Sequence, residues 1–423
     1  MRAARSLAAL LASAAAAAAA LAAPPATQLL WTAYTGASQC YRQPLLVQTP
    51  TALLAFVEGR PGIPYCSGTF YPTAPDFPIL VRTSRDAGAT WSAELEITRG
   101  NLDFLVAVYD PRSARTLLLV QLGDTDTIQT ASADDGATWS APVPVTIAAP
   151  PGVYAALIPG VGHGLVVSPA HCLDATCGGT AGRLVLPFVA TLVGPVSNDT
   201  ACGTCASALV YSDDGGATWA LGAVSDQNGS REAALAQLDS AAHAALAGVV
   251  LASERNLGNA TGVRLRAVSV DGGRGFSSEG VDAGLPDVRL FARGAARPPH
   301  EWRLRNLTTT RRPPSPSVPP SQVVTGNWTG VVAGLSRVGD AFIFSAPAAA
   351  GARADLSLWI SRDGAATWGA GAAAVLWPGP AAYSDLIALN ETHAAAIWES
   401  SSDAAPGEFA GGIRFAVIDT TAL

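Results

Sequence analysis

The 423-residue sequence predicts an all-β fold, a β-propeller of six blades. Three observations carry that reading. An octapeptide recurs five times, as SRDAGATW (84–91), SADDGATW (132–139), SDDGGATW (212–219), SVDGGRGF (269–276) and SRDGAATW (361–368). Short apolar runs precede the copies, among them PILVRT, SALVY, VRLRAV and LSLWI, and their β-branched and aromatic content gives them strand character. The copies are unevenly spaced, so the repeating unit is larger than the octamer and tolerates insertions, as stacked supersecondary units do. Roughly 400 residues after removal of a leader suit six four-stranded sheets with some long loops.

The chain opens with MRAAR, continues as an Ala/Leu run from Ser6 to Ala23, and then reaches Pro24 and Pro25. A charged start, an apolar middle and a small-residue exit describe a secretory leader over 1–23, with cleavage expected near Ala23. Ala drives membrane insertion weakly, which makes an uncleaved anchor the weaker reading. No other segment has the roughly 18 consecutive apolar residues that a span requires, so no integral membrane span is expected in the mature chain.

Apolar residues make up 49% of the sequence, enough to bury a large core. Charged residues make up only 14%, the formal net charge is −7, and the 26 Lys and Arg form no long basic run, which argues against nucleic acid as a partner. Six cysteines and Asn-x-Ser/Thr acceptors at Asn198, Asn228, Asn259, Asn306, Asn327 and Asn390 agree with export, to the exterior or a lysosomal lumen. Cys172, Cys177, Cys202 and Cys205 lie close together and are expected to form two bridges, in any of three connectivities. Their spacing would also suit zinc, but the leader favours disulfides. Cys40 and Cys66 are left to pair.

Within each octamer the Asp carboxylate can accept backbone N–H bonds and Gly permits positive φ, so the segment suits a tight turn with its Trp packed beneath. It reads as a clip closing a β-hairpin, and its aspartates as structural groups. The fourth copy ends in Gly275 and Phe276 and is expected to be looser, while the fifth has Ala365 in the glycine place. Between Arg297 and Gln322 the composition turns to Pro, Arg, Thr and Ser, which reads as an extended inserted loop (297–322). The fifth octamer lies beyond it, so the propeller is expected to run from about Thr27 to the C-terminus, residues 27–423.

The octamer matches the Asp-box, S-x-D-x-G-x-T-W, and in this the chain resembles the sialidase (neuraminidase) superfamily. The resemblance implies the six-bladed propeller, with the clips at the blade periphery, and it extends to the site. In CYRQPLLVQTPTALLAFVEGR (40–60), YRQP followed by LLAFVEGR resembles the family's opening signature. This implies that Arg42 is the first of three arginines holding the substrate carboxylate and that Arg60 lines the pocket. In 345–386, ARADL and YSDL resemble the closing segment, which makes Arg353 the third arginine and Tyr383 the nucleophile.

Between them, 228–273 offers Glu232 opening one strand and Arg255 closing the next, with Arg264 competing for the latter place and AALAQLDSAAHAALAG looking helix-like. Glu399, in AIWES, matches a glutamate that orients the first arginine. The family's general acid follows the E-x-R motif by a few residues; here no acid follows Arg60 until Asp76, on a loop that a Cys40–Cys66 bridge would brace.

The activity implied is a retaining exo-α-sialidase that acts on terminal sialic acids of glycoconjugates without a metal or an organic cofactor. Three guanidinium groups at one point need a shared anion, and a sugar carboxylate supplies it through charge-assisted bonds. That carboxylate sits on the anomeric carbon and would repel a carboxylate nucleophile; a neutral tyrosine deprotonated by a neighbouring Glu avoids the repulsion. Two rival readings remain open: a lectin-like propeller that has lost its acid, and an adhesion or scaffold propeller.

Overall fold

In the computed structural model, residues 24–33, 38–61, 76–193, 205–227, 229–256, 262–287, 331–349, 352–401 and 411–423 are described. The leader 1–23, the loop 297–322, Cys66, Cys202 and the acceptors Asn198, Asn228, Asn259, Asn306 and Asn327 lie outside them. Strands dominate, and the helical turns are 3-10 turns of three residues such as Pro169–His171 and Ala241–His243. No helix among the described residues is long and apolar enough to cross a membrane.

The chain is all-β with a propeller-like arrangement. Two sheets are plain antiparallel meanders: Cys40–Gln48, Leu53–Arg60, Phe77–Ser84, Leu95–Gly100, and Ser230–Leu238, Val249–Asn256, Val263–Ser269, Ser278–Pro286. A third begins with Leu102–Asp110 and carries the short parallel strand Gly162–His163 on that first strand. A fourth is built around Leu184–Leu192 and Cys205–Ser212. The strands that open the sheets pack against one another around a central axis. At the closure, Thr27–Thr32 pairs with Gly412–Asp419, so the two ends of the chain share one sheet.

The expected six separate sheets are not what the pairing shows. Among the described residues there are five, of 7, 6, 5, 4 and 4 strands. One strand accounts for the difference: Ala374–Ala388 is 15 residues long and pairs with Ala354–Ser361 through its first half and with His393–Ser400 through its second. Two neighbouring sheets thereby merge into one of seven strands.

The helix-like segment is also corrected. Residues 230–238 form a strand whose alanines are buried, followed by the turn Ala241–His243. Alternate small side chains let this strand sit at the crowded axis, and pairing with Val249–Asn256 overrides its helix propensity. Burial of both faces likewise explains the unbroken apolar run Leu53–Val57 of the strand Leu53–Arg60, every residue of which is buried.

The core lies between sheets. Leu46, Ala55, Ile397 and Phe415 form one cluster, Leu54, Phe56, Leu105 and Leu118 a second, and Leu251, Phe344, Trp359 and Trp368 a third. The octamers close these layers from the outside. In the first copy, Asp86 accepts from Ser84 Oγ (2.8 Å), Thr90 N (2.8 Å) and Thr90 Oγ1 (2.6 Å), and Ser84 Oγ accepts from Gly88 N (2.8 Å). Copies two, three and five repeat the pattern.

The fourth keeps the Ser269, Asp271 and Gly273 bonds but has no threonine hydroxyl, so Asp271 accepts from Arg274 N and Gly275 N instead. Hydroxyl and backbone donors hold the Asp86 and Asp363 carboxyls down to about 2, so these groups are committed anions at the surface. The Trp rings reach across to the next sheet, as Trp91 does edge-on to Phe415 at 5.0 Å and Trp139 to Phe56 at 5.7 Å.

Cys172 and Cys177 form a disulfide, and Cys40 and Cys205 are also disulfide-bonded.

Every clip turns on two successive left-handed residues. Gly88 has φ +90°, and a Cβ there would stand 2.4 Å from the Phe415 ring; Ala365 occupies the same place at φ +60°. Gly88→Ala is therefore expected to cost about 2 kcal/mol or more, and Ala365→Gly to cost nothing or to stabilise slightly. Chemical denaturation of the two variants checks this; equal losses in both would contradict the turn geometry.

Candidate active site

The sheets bring five segments of the chain to one point. Arg42 lies on Cys40–Gln48, Glu232 on Ser230–Leu238, Arg255 on Val249–Asn256 and Tyr383 on Ala374–Ala388, while Arg353 immediately precedes Ala354–Ser361. The guanidinium carbons of Arg42, Arg255 and Arg353 stand 5.3, 5.8 and 5.6 Å from the centre of the Tyr383 ring. Val161, Val331, Val332 and Ala382 pack with the ring and form an apolar seat.

Tyr383 is held at its hydroxyl as well. Arg255 Nη1 donates to Tyr383 Oη (2.8 Å) and to Glu232 Oε2, and Tyr383 Oη donates to Glu232 Oε1 (3.3 Å). Burial raises the phenol above the usual tyrosine value, with Arg255 opposing and Glu232 adding to the rise, so the hydroxyl is neutral at physiological pH. Burial also pushes the Glu232 carboxyl up, but the charges of Arg255 and Arg231 outweigh it and hold the group below the usual glutamate range. A neutral phenol thus rests against an ionised carboxylate, the arrangement in which a proton can leave oxygen as that oxygen attacks.

Glu399 joins two of these segments. Its Oε1 accepts from Arg42 Nε (2.5 Å) and Gln43 N (3.0 Å), and its Oε2 from Tyr383 N (3.3 Å). The backbone makes room for this: register slips between Arg42 and Leu45, Gln43 is left-handed at φ +56°, and Pro44 carries no N–H. Arg353, half-buried at the edge, is pushed down to about 10 by the packing around it, and the Arg255 and Arg42 charges add to that although Tyr383 opposes it. Three guanidinium groups in one apolar seat favour an anion placed between them.

Arg60 lies beside this cluster. Its Nη2 donates to Glu58 (2.7 Å) and Asp103 (3.1 Å), and Asp103 Oδ1 also accepts from Gln43 Nε2 (2.5 Å) and Phe104 N (2.9 Å). Burial, only partly offset by Arg60, pushes Glu58 up to about 7.

Arg264 does not compete with Arg255: it is fully buried elsewhere, bonded to Val331 O (2.7 Å), Ser253 O (3.0 Å) and Asp287 (3.4 Å), where it ties residues 331 and 287 to its own sheet. Asp76 is exposed just before Phe77–Ser84, and its charge acts on Arg99 of the outer strand Leu95–Gly100. Sequence reasoning missed Glu58, although it stands inside the E-x-R motif, and Asp103, a lone acid in NLDFL with no local signal. Among the described residues no group of His, Cys, Asp and Glu has the geometry of a metal site.

A BNR repeat-like domain matches residues 73–395, which is most of the chain. This chain belongs to the BNR repeat-like domain family. Solved structures similar to it are sialidases, as the octamers and the flanking motifs implied. The Hadza microbial sialidase Hz136 superposes with a TM-score of 0.65 at 18% identity, over 94% of this chain and 69% of that one. The Trypanosoma rangeli sialidase in complex with sialic acid gives 0.62 at 16%, over 95% of this chain and 60% of that one. The intramolecular trans-sialidase from Ruminococcus gnavus in complex with oseltamivir carboxylate gives 0.62 at 14%, over 94% and 98%. At these identities the likeness is one of fold. Among curated proteins none matches the sequence.

Two buried carboxyls of this BNR-repeat protein contribute to its pH response. Glu254, next to Arg255 but bonded to Ser225 and Gln227, is pushed up to about 8 by burial and by Glu279, against the Ser225 bond. Like Glu58 it binds its proton more tightly folded than unfolded. The stability each contributes is fully present below the ordinary value of 4.5 and is lost as pH rises through about 7 and about 8. Unfolding free energy is expected to fall between about pH 5 and pH 9, and Glu254→Gln to flatten that slope. Denaturant titrations across this range test it; an unchanged slope in the variant would remove Glu254 from the account.

Proposed function

We propose that this protein is a retaining exo-α-sialidase that hydrolyses terminal sialic or related nonulosonic acids of glycoproteins, glycolipids or oligosaccharides. The observation that carries the reading is the gathering of Arg42, Arg255 and Arg353 within 6 Å of the ring of a tyrosine whose hydroxyl lies on Glu232. A carboxylate between the three guanidinium groups would fix the anomeric carbon above Tyr383. The phenol oxygen then attacks that carbon, its proton passes to Glu232, and the bond to the leaving oxygen breaks as that oxygen takes a proton from Asp76 or from water. Water reverses the sequence on the glycosyl-tyrosine and returns the sugar with its configuration retained. Nearby negative charge stabilises the oxocarbenium character of both transition states.

The same reading takes the seven-stranded sheet as two blades sharing Ala374–Ala388, which makes six in all. It takes the N-terminal run as a cleaved leader, and the Asn-x-Ser/Thr sites as glycan acceptors of a protein in the secretory pathway, outside the cell or in a lysosomal lumen. That the Trypanosoma rangeli sialidase is solved with sialic acid supports the choice of ligand.

Turnover of an aryl sialoside by the secreted protein tests the reading. Tyr383→Phe is expected to lower kcat by about a thousandfold or more while leaving sialic acid binding within a few-fold. Equal activity of the two proteins would refute the assignment.

The exposed position of Asp76 favours one rival, a propeller that binds acid sugars without cleaving them. An acid at Asp76 matters most for poor leaving groups. If Asp76 serves, Asp76→Asn slows release from sialyllactose about 100-fold or more and barely affects an activated aryl sialoside. Calorimetric binding of sialyllactose without any product from either substrate would establish the lectin reading instead.

A further inference from the structure

Asp385 stands two residues beyond Tyr383 on the same strand, so both side chains point toward the same side. It is almost fully buried, and two of its three bonds leave the strand. Oδ2 accepts from Leu46 N (2.9 Å), immediately past the bulge that follows Arg42, while Oδ1 accepts from Leu386 N (3.0 Å) and lies 2.7 Å from His163 Nδ1. His163 is fixed in turn. It belongs to the two-residue strand Gly162–His163 laid parallel on Leu102–Asp110, Gly164 N donates to Ala107 O (2.7 Å), and Gly162 takes a φ of +123° that a side chain would strain.

On its other side the imidazole lines a cavity of about 320 Å³ together with Gln237, Arg337 and Leu389. Glu232 and Gln237 lie toward opposite ends of one strand, and Tyr383 and Ala388 are similarly separated on another. The cavity therefore opens at the far end of the axis from the arginines.

We propose that His163 and Asp385 are positioning residues for the reaction proposed above: as an ion pair they hold the strand of Tyr383 against the strand of Arg42 from beneath, under control of protons reaching His163 from the far cavity. The inference rests on the sialidase reading and extends it to a part of the fold no substrate touches.

The electrostatics agree. Burial works to lower the imidazole, but Asp385 outweighs it and raises His163 above the usual histidine value. The charged and titratable groups facing it are Asp385 from Ala374–Ala388 and, across the cavity, His171, Arg337 and Glu391. The ion pair is present below the raised value and is lost as pH rises through it. The hydrogen bond can survive in the neutral tautomer, but the charge that keeps Asp385 from drawing other donors is gone. Loosening of this kind at a reacting centre is worth about 10- to 100-fold in rate.

The test combines kinetics with a measurement that needs no turnover. On an aryl sialoside, His163→Ala is expected to lower kcat about 10-fold or more with KM within about twofold. His163→Gln, which keeps an amide donor for Asp385 but carries no charge, should lie between wild type and His163→Ala in kcat, near the wild-type value at alkaline pH, and lose the alkaline limb that wild type shows. Nitrogen-15 histidine spectra should show one imidazole titrating above the usual value, and Asp385→Asn should bring it down.

Wild-type kcat and pH profile in a folded His163→Ala protein would overturn the proposal. So would equal loss in the Ala and Gln variants accompanied by a fall in Tm, which would mark a merely structural contact. If wild type turns over no sialoside, the sialidase reading fails by itself. The pair is then judged by the phenol of Tyr383, read as the ultraviolet difference titration against Tyr383→Phe: a shift in His163→Ala keeps the positioning role, and no shift removes it.

Discussion

The structure depends on a carboxylate that is bonded in three directions at once. Glu399 receives the Arg42 side chain, the Gln43 N–H and the Tyr383 N–H, and so locks the first and last inner strands of the ring to each other at the level of the site. Arg42 is buried, and its charge would strongly destabilise the fold there without such a partner. The cost of burying the guanidinium is offset by a group that simultaneously sets the register of the bulge and the height of the tyrosine. Removing the carboxylate would leave a buried cation and a slack strand pair together, so the site and the closure of the ring are one construction.

The same economy recurs around it. Glu232 is paired with Arg255 and touches the Tyr383 hydroxyl; Glu58 and Asp103 share Arg60; Asp385 bridges Leu46 N and His163. In each case an acid holds a base or a backbone donor, and all but the Glu58–Arg60 pair join different strands. Buried charges of this kind are poor sources of net stability, but they specify geometry, because each has few alternative partners in an apolar surround. Apolar packing between the sheets holds the ring together, and the charges decide how its inner strands align.

The clips at the periphery do different work. Their aspartates accept hydroxyl and backbone donors within eight residues, so they act locally, and in the same way in four of the five octamers. Local chemistry of that kind is legible without a structure, as are the strands, whose apolar runs announce burial on both faces. The alanine-rich segment at 233–248 misleads for a related reason: helix propensity is also local, whereas the small side chains there answer to crowding at an axis that the segment itself does not encode. The number of separate sheets misleads as well, because Ala374–Ala388 serves two of them.

By itself the sequence determined that the chain is all-β, that Asp-box turns punctuate its sheets, and which arginines, acids and tyrosine were candidates for one site. Each of those properties depends on residues within a few positions of one another. Only the tertiary structure decided that Arg42, Arg255 and Arg353 meet at Tyr383, that Arg264 instead supports its own sheet, that Asp76 lies out by Arg99, and that Glu58, Asp103, Asp385 and His163 belong to the same surroundings. These contacts join residues separated by tens to hundreds of positions. Their existence follows from closing the ring with Thr27–Thr32 on Gly412–Asp419, a global constraint that no local stretch of sequence carries.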